Sequence, residues 1–436
     1  MPPEPAPLSR HSAWGVFRAL RHRNYRLFFL GQGVSMIGTW MQQVALQWLV
    51  YQVALVEMGP QQAALQLGVV AFSSQIMTFI FPPFAGVIID RWDRRRLIIL
   101  TQSLATLHAA LLAVLTLTGL VTIWRIILLA VFSGLVSAFD ITARQSFVVH
   151  MVGNREDLPN AIALNSSLVN SARLIGPTIA GVIIVAGDAL FRQVGVRNGG
   201  PGLCFLCNAI SYLFVIAALL RMDMPPAPRA SRAAQGVLQG FVEGLRYAAR
   251  AVPIRAVLLM LAFVSLTGLS YTTLLPVMAD QVLHGQAGTL GLLVSSAALG
   301  ALPAAIFLAS RRSIRGLDRF IATAPGVFGL TLLLFSFADR LWLALPLLAV
   351  AGFSVMIQMA STNTVVQTLV EDDKRGRVMS LYTMSFIGMS PFGSLLSGYV
   401  ASHLGAPVAL RLAGAACILA AVVFTWRLPS IRRNTP

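Results

Sequence analysis

The sequence predicts an all-α polytopic membrane protein with twelve transmembrane helices in two pseudo-symmetric six-helix bundles. Three observations carry that expectation: long apolar runs, a one-sided distribution of arginine, and a repeat relating the two halves of the chain. Of the 436 residues, 56% are hydrophobic and 11% are charged, against roughly 25% charged in a soluble domain. So little charge cannot cover a water-facing surface of this size. The mean hydropathy of +0.75 makes the bilayer the main solvent.

An apolar helix of about 20 residues crosses the hydrocarbon core. Runs of that order lie at 27–52, 65–89, 97–118, 123–147, 161–187 and 202–220, then at 256–280, 289–310, 320–337, 341–365, 379–403 and 407–427. The chain divides accordingly into an N-terminal cytoplasmic segment (1–26), a first bundle (27–220), a cytoplasmic linker (221–255), a second bundle (256–427) and a cytoplasmic tail (428–436). No short apolar core with a small-residue cleavage site opens the sequence, so no signal peptide is expected.

A net charge of +17 would point to nucleic acid in a soluble protein. Here the arginines sit in short runs between spans, without aromatic interleaving, and no nucleic-acid partner is expected. They alternate in a way that fixes topology: Arg10 to Arg26, Arg91 to Arg96, Arg155, Arg221 to Arg255, Arg311 to Arg319, Lys374 to Arg377 and Arg427 to Arg433 share one side. The other side holds Arg125, Arg192, Arg197, Arg340 and Arg411. Cationic loops stay inside, so both termini are expected in the cytoplasm. In the linker, Val237, Phe241, Leu245 and Ala248 share a helical face opposite Glu243, Arg246 and Arg250, a pattern that suits a helix lying on the membrane surface. At one constant offset Val148, Val149, Leu164, Gly176 and Gly181 match Val365, Val366, Leu381, Gly393 and Gly398. The matches occupy equivalent places in the topology, which reads as duplication of a six-span unit.

The loop after the second span reads Gly86-Val-Ile-Ile-Asp90-Arg91-Trp92-Asp93-Arg94-Arg95-Arg96. A positive-inside loop accounts for the arginines but not for Asp90, four residues after a glycine and directly behind an apolar run. The stretch resembles the GxxxDRxGRR motif of the major facilitator superfamily, with Asp93 in the place of the second glycine. The resemblance implies a latch that closes the two halves on the cytoplasmic side. In it Gly86 permits close packing, Asp90 sits near a helix N-terminus, and Arg91, Arg94 and Arg95 engage an acid on span four. On span five, Gly176-Pro177-Thr-Ile-Ala-Gly181 resembles the antiporter motif of the same superfamily, with Ala180 for one glycine. Small residues let helices approach closely and proline bends the span. Ala130 stands about where proton-coupled drug exporters of that superfamily carry an arginine. The stretches AFDITARQSFVVHMV, NAIALNSSLVNSARLIGPTIAG, VEGLRYAARAVPIRAVLL and LLPVMADQVLHGQAGTLGLL look like the branch containing the enterobactin exporter and macrolide efflux proteins.

A charge at the bilayer centre costs at least about 2.5–3.5 kcal/mol, so each such residue needs a reason. Asp140 and Arg144 on span four share a face with Ser133 and Ser137, and Arg173 on span five shares one with Ser166, Asn170 and Pro177. At 1.5 Å per residue, Asp140 lies roughly 16 Å from the inner boundary and Arg173 roughly 18 Å. Asp140 can pair with Arg173, or with Arg94 so that Arg173 faces a cavity. It is either a structural ion pair or part of a coupling network that switches partners or takes up a proton. Span one places Gln32, Ser35, Thr39, Gln43 and Gln47 on about a third of its circumference, and span ten offers Ser354, Gln358, Ser361 and Thr362. These stripes either bond between helices or line a central cavity. The second reading nominates Gln43, Gln47, Asn165, Asn170, Gln358 and Tyr382, with Trp40 nearby. Span one carries no acid, which favours a neutral, zwitterionic or anionic amphiphile over a cation.

The expectation is therefore a non-enzymatic secondary transporter of the inner (plasma) membrane of a bacterium, working as a monomer with protons as its second partner and without a cofactor or metal. It would export a siderophore- or drug-like amphiphile by alternating access. A facilitator or importer of a metabolite or lipid on the same fold is the alternative. The histidines are scattered rather than clustered with acids at depth, and no glycine-lysine phosphate loop is present, so neither an intramembrane enzyme nor an ATP-driven pump is expected.

Overall fold

The computed structural model describes residues 13–81, 85, 92–152, 155–223, 237–311, 313, 316–371 and 374–433. A short 3₁₀ segment, Ala13–Arg21, precedes six long helices: α1 (Arg23–Met58), α2 (Pro60–Ile80), α3 (Arg94–Leu117), α4 (Ile123–Met151), α5 (Leu158–Arg192) and α6 (Gly199–Leu220). A linker helix, α7 (Val237–Arg250), leads to the second half. There α8 (Val252–Thr267) and α9 (Tyr271–Val277) form span seven. They are followed by α10 (Ala287–Ser310), α11 (Leu317–Phe335) and α12 (Leu341–Leu369). Span eleven is built from α13 (Arg375–Thr383) and α14 (Ser390–Leu404), and α15 (Ala406–Arg433) is span twelve.

Helix limits follow local chemistry. Gly59 ends α1 in a conformation open to glycine (φ 85°), and Pro60 starts α2 in the first turn, where its missing N–H costs nothing. Asp93 caps α3 by accepting the Arg96 backbone N–H at 2.9 Å. That accounts for the acid at the place of the second motif glycine. Pro159, Pro253 and Pro391 lie in the first turns of α5, α8 and α14.

Ten helices among the described residues are long and apolar enough to cross a membrane. The other two spans fall short for visible reasons. The glutamines of α1 lower its hydropathy, and span eleven is divided by a π-helical turn at Met384–Gly388. Span seven is also divided, at Gly268–Ser270, and closes in a π-turn at Met278–Val282.

The packing repeats between halves. In the first, α3 lies on α6, α2 on α4 and α1 on α6; in the second, the equivalent pairs are α11 with α15, α10 with α12 and α8 with α15. The bundles meet along α2 with α14 and α5 with α10, two pairs that exchange under a two-fold axis. Both seams need glycine. A Cβ on Gly68 would lie 2.6 Å from the Ser394 carbonyl oxygen, and one on Gly181 would lie 3.0 Å from the Gly288 Cα. The end of the bundles that holds Ala13–Arg21, the first turn of α3 and the linker helix α7 is called here the basic end, and the opposite end is the far end.

Candidate functional site

A cavity of about 560 Å³ lies between the bundles, and its walls differ in character. From α1 and α5 come Trp40, Gln43, Gln47, Asn165, Ser166, Asn170 and Arg173. From the second bundle come Leu269, Tyr271, Thr272 and Leu275 at the break in span seven, Val294, Ala297 and Ala301 on α10, Val355, Met356 and Met359 on α12, and Phe386. The amides and the guanidinium are thus concentrated on the α1 and α5 wall, beside Trp40, Val44 and Val169, while the other wall is mostly aliphatic, thioether and aromatic. The lining includes no aspartate or glutamate. Near the basic end, exposed Ser166 forms part of the wall. Arg173 is exposed although it lies well inside a span, and its guanidinium stands 5.5 Å over the Trp40 ring.

The two broken spans shape the apolar wall. In span eleven the π-turn presents Phe386 to the cavity, and its carbonyl accepts the Ser265 hydroxyl at 2.5 Å. A π-turn displaces one backbone acceptor from the helical ladder, and such turns concentrate at functional sites. On the polar wall, α5 sits tight on α1: a Cβ on Gly176 would fall 2.6 Å from the Trp40 Cβ. Pro177 and Gly181 face α10 on the other side, where Gly291 meets the Pro177 carbonyl. The glycine-proline motif therefore sets both the position of Trp40 and the seam between bundles.

Gln43, Gln47, Asn165 and Asn170 line the cavity, but two other nominated residues do not. Gln358 is 2% exposed, with its side-chain amide buried and unpartnered. Tyr382 is buried and spends its hydroxyl on the Met359 carbonyl at 3.1 Å. Helical phase explains Gln358: Val355, Met356 and Met359 take the cavity-facing arc of α12 and turn Gln358 into the bundle. Gln32 and Ser35 are likewise buried, and Thr39 bonds to Tyr212 at 3.2 Å, so the span-one stripe serves packing at one end and the cavity at the other.

Asp140 pairs with neither Arg173 nor Arg94. Buried on α4, it accepts from Thr101 Oγ1 and from Gln102 Nε2, each at 2.8 Å, and forms an ion pair with Arg144 one turn away. The charge is held between α3 and α4, away from the cavity. A second buried polar network links Gln42 on α1 to Asn208 on α6 at 2.8 Å and to His108 on α3 at 3.5 Å.

At the basic end, Gly86, Asp90 and Arg91 fall outside the described residues. Arg94 lies in the first turn of α3. Arg95 serves no acid on span four: it donates to the Leu219 and Leu220 carbonyls at 2.8 and 2.9 Å, satisfying the last turn of α6. Nearby, Asp157 ahead of α5 accepts from His22 at 2.9 Å and pairs with Arg18. The His22 hydrogen bond above all, with the Arg18 charge, holds the Asp157 carboxyl below its ordinary range. The linker helix α7 packs against span eleven: Glu243 pairs with Arg377 at 2.6 Å and Lys374 lies 4.8 Å from the Tyr247 ring centre. Ala248 is buried, while Leu245 is 51% exposed and the side chains of Val237 and Phe241 lie outside the described residues.

Toward the far end the bundles are tied by side chains that no motif in the sequence marks. Tyr51 of α1, fully buried, donates to Asp280 Oδ2 of span seven at 2.6 Å, and Gln281 Nε2 donates to the Tyr51 oxygen at 3.3 Å. Deeper in, Ser295 of α10 bonds to the Leu174 carbonyl at 2.9 Å and to Thr178 at 2.8 Å. An acid at the end of an apolar span was a visible signal for Asp280; its partner on span one was not visible.

Two six-helix bundles around an amphipathic cavity, joined toward one end, define a membrane transporter rather than an enzyme. The chain belongs to the transmembrane secretion effector family of the major facilitator superfamily, whose model matches residues 14–435. It is 28% identical to the staphyloferrin A transporter of Staphylococcus aureus, covering 92% of this chain and 95% of the relative. It is 27% identical to the multidrug efflux pump Tap of Mycolicibacterium fortuitum, over 89% of this chain and 91% of that one. Identity to the enterobactin exporter EntS of Citrobacter koseri is 23%, over 94% and 93%. The fold is similar to the inward-facing, unoccupied structure of a bacterial homologue of the human lysosomal transporter Spinster, at a TM-score of 0.71 and 14% identity, covering 95% of this chain and 98% of that one.

Proposed function

We propose that this chain exports a small amphiphilic molecule of the siderophore or drug type across the inner membrane of a bacterium, by alternating access, as a proton antiporter and a monomer. The observation that carries this reading is the two-sided cavity, with amides and a guanidinium on the α1 and α5 wall and methionines and aromatics opposite. Such a wall pair matches a solute with a polar and an apolar part, and methionine adapts to varied shapes. Relatives along nearly the whole chain are named as siderophore or multidrug transporters, which supports the same solute classes here. The arginine distribution supports a cytoplasmic position for both termini. The basic end is then the cytoplasmic side, and the Tyr51–Asp280 contact holds the opposite side shut.

Coupling is assigned to Asp140. A carboxylate held by Arg144, Thr101 and Gln102 inside the first bundle can exchange the Arg144 charge for a proton as α3 and α4 shift. The test is accumulation of a panel of siderophores and drugs in a strain lacking this gene, with and without an uncoupler. Restoring the gene is expected to lower accumulation of one or more compounds, and the uncoupler to abolish that effect. A strain whose accumulation ignores the gene for every compound refutes export.

A further inference from the structure

We propose that Arg173 is the anion-recognition residue of this cavity, and that the transported class carries a carboxylate at the end of an apolar or aromatic body. The inference deepens the reading of the cavity as the transport site and rests on it.

Arg173 is a charge without a counter-charge. Its named contact is the Trp40 ring at 5.5 Å, and among the described residues no aspartate or glutamate forms a salt bridge with it. The guanidinium is exposed to the cavity, and a cation–π contact worth only about 0.5–2 kcal/mol leaves its hydrogen-bond donors open to a solute. The first bundle does hold a deep carboxylate, Asp140, but that group is already committed to Arg144. The cavity thus keeps a fixed positive charge at mid-span, exposed to the space a solute would fill.

The surroundings define the rest of the ligand. Arginine presents a planar fork that matches a carboxylate with two parallel hydrogen bonds. Asn170, one turn from Arg173 on α5, and Gln43 on α1 offer amide donors on the same wall. Across the cavity Met356, Met359 and Phe386 offer an apolar bed. A ligand with its carboxylate on Arg173 and its body toward the methionines satisfies both walls at once. A cationic amphiphile would face Arg173 with no acid to receive it, so the same charge that selects anions repels cations.

The experiment compares N-dansyl-phenylalanine with its methyl ester, which differs by the loss of one negative charge. Binding to the purified full-length protein in a nonionic detergent is read as dansyl fluorescence polarisation. The wild type is expected to bind the acid at least about tenfold more tightly than the ester. Arg173→Gln should bring that ratio to near one while ester binding is kept. Asn170→Asp, which supplies a carboxylate one turn away, should collapse the ratio in the same way by neutralising Arg173 in place. If Arg173→Gln no longer binds the ester, Asn170→Asp decides the question. A wild type that binds acid and ester alike, or binds neither, overturns the proposal; so does a deciding variant that keeps the preference. Transport of the same acid in proteoliposomes is measured alongside: binding preference intact with no compound of a siderophore and drug panel transported removes the transport reading and leaves the anion site standing.

Discussion

Replacing Tyr51 by phenylalanine deletes one oxygen and leaves the packing of a fully buried ring unchanged. What is lost is the 2.6 Å hydrogen bond to Asp280 and the 3.3 Å bond from Gln281, both of which cross between bundles. A hydrogen bond to a charged group contributes about 1.5–3 kcal/mol net. It exists only while the far end is closed, so its loss shifts the equilibrium toward far-end opening by about ten- to 150-fold, at 1.4 kcal/mol per factor of ten. Asp280 is partly exposed, so its carboxylate is solvated after the change and adds no large penalty. The assay places a single cysteine at Gln47 on the cavity wall, with Cys204, Cys207 and Cys417 replaced. It follows modification by a membrane-impermeant maleimide applied from the far side. Tyr51→Phe is expected to raise the labelling rate by about the same factor as the equilibrium shift. An unchanged rate in a folded variant would falsify the claim that this contact holds the far end shut.

The other predictions concern the polar interior and the basic end. Asp140→Asn should abolish uncoupler-sensitive efflux and lower the thermal midpoint in detergent, because breaking a mostly buried pair by removing one partner costs about 3 kcal/mol or more; normal efflux with normal proton dependence at equal expression would sink the coupling role. Gln43→Ala should alter the range of compounds exported, whereas Gln358→Leu should leave that range unchanged and stabilise or barely affect the fold, since an unpartnered buried amide is removed. The reverse pattern in an efflux profile would put Gln358 back in the cavity. The Asp157 carboxyl is held below the ordinary aspartate range. Its contribution is therefore complete above the unfolded value and is lost as pH falls through the lower folded one. Protection of the Leu158 and Asn160 amides, the intrinsic exchange rate at each pH divided by the observed one, should fall in the wild type below about pH 4, and Asp157→Asn should remove that fall; an acid response identical in the two proteins contradicts the assignment.

Spans were legible because about 20 apolar residues and alternating arginine clusters are local signals. The Gly176-Pro177 motif was legible for the same reason, since close approach demands small residues wherever the partner lies. Partners across the fold were not. Asp140 bonds to Thr101 and Gln102 on a different helix, and nothing in the spacing of span four separates that outcome from a pairing with Arg173. Gln358 shared polarity with true cavity residues, but its burial depends on how α12 is rotated against its neighbours, which packing decides. Phe386 reaches the cavity from a π-turn, and Tyr271 lies next to the break in span seven. The turn in span eleven is held by a tertiary contact, the Ser265 bond to the Phe386 carbonyl.

Inside-out membrane vesicles containing the protein, energised to an acidic interior, test export most directly, because outward transport then appears as uptake. A compound from a panel of siderophores and drugs should accumulate in these vesicles above the level in vesicles lacking the protein, and an uncoupler should release it. No accumulation of any member, or movement that ignores the uncoupler and only follows the solute's own gradient, would contradict proton-driven export.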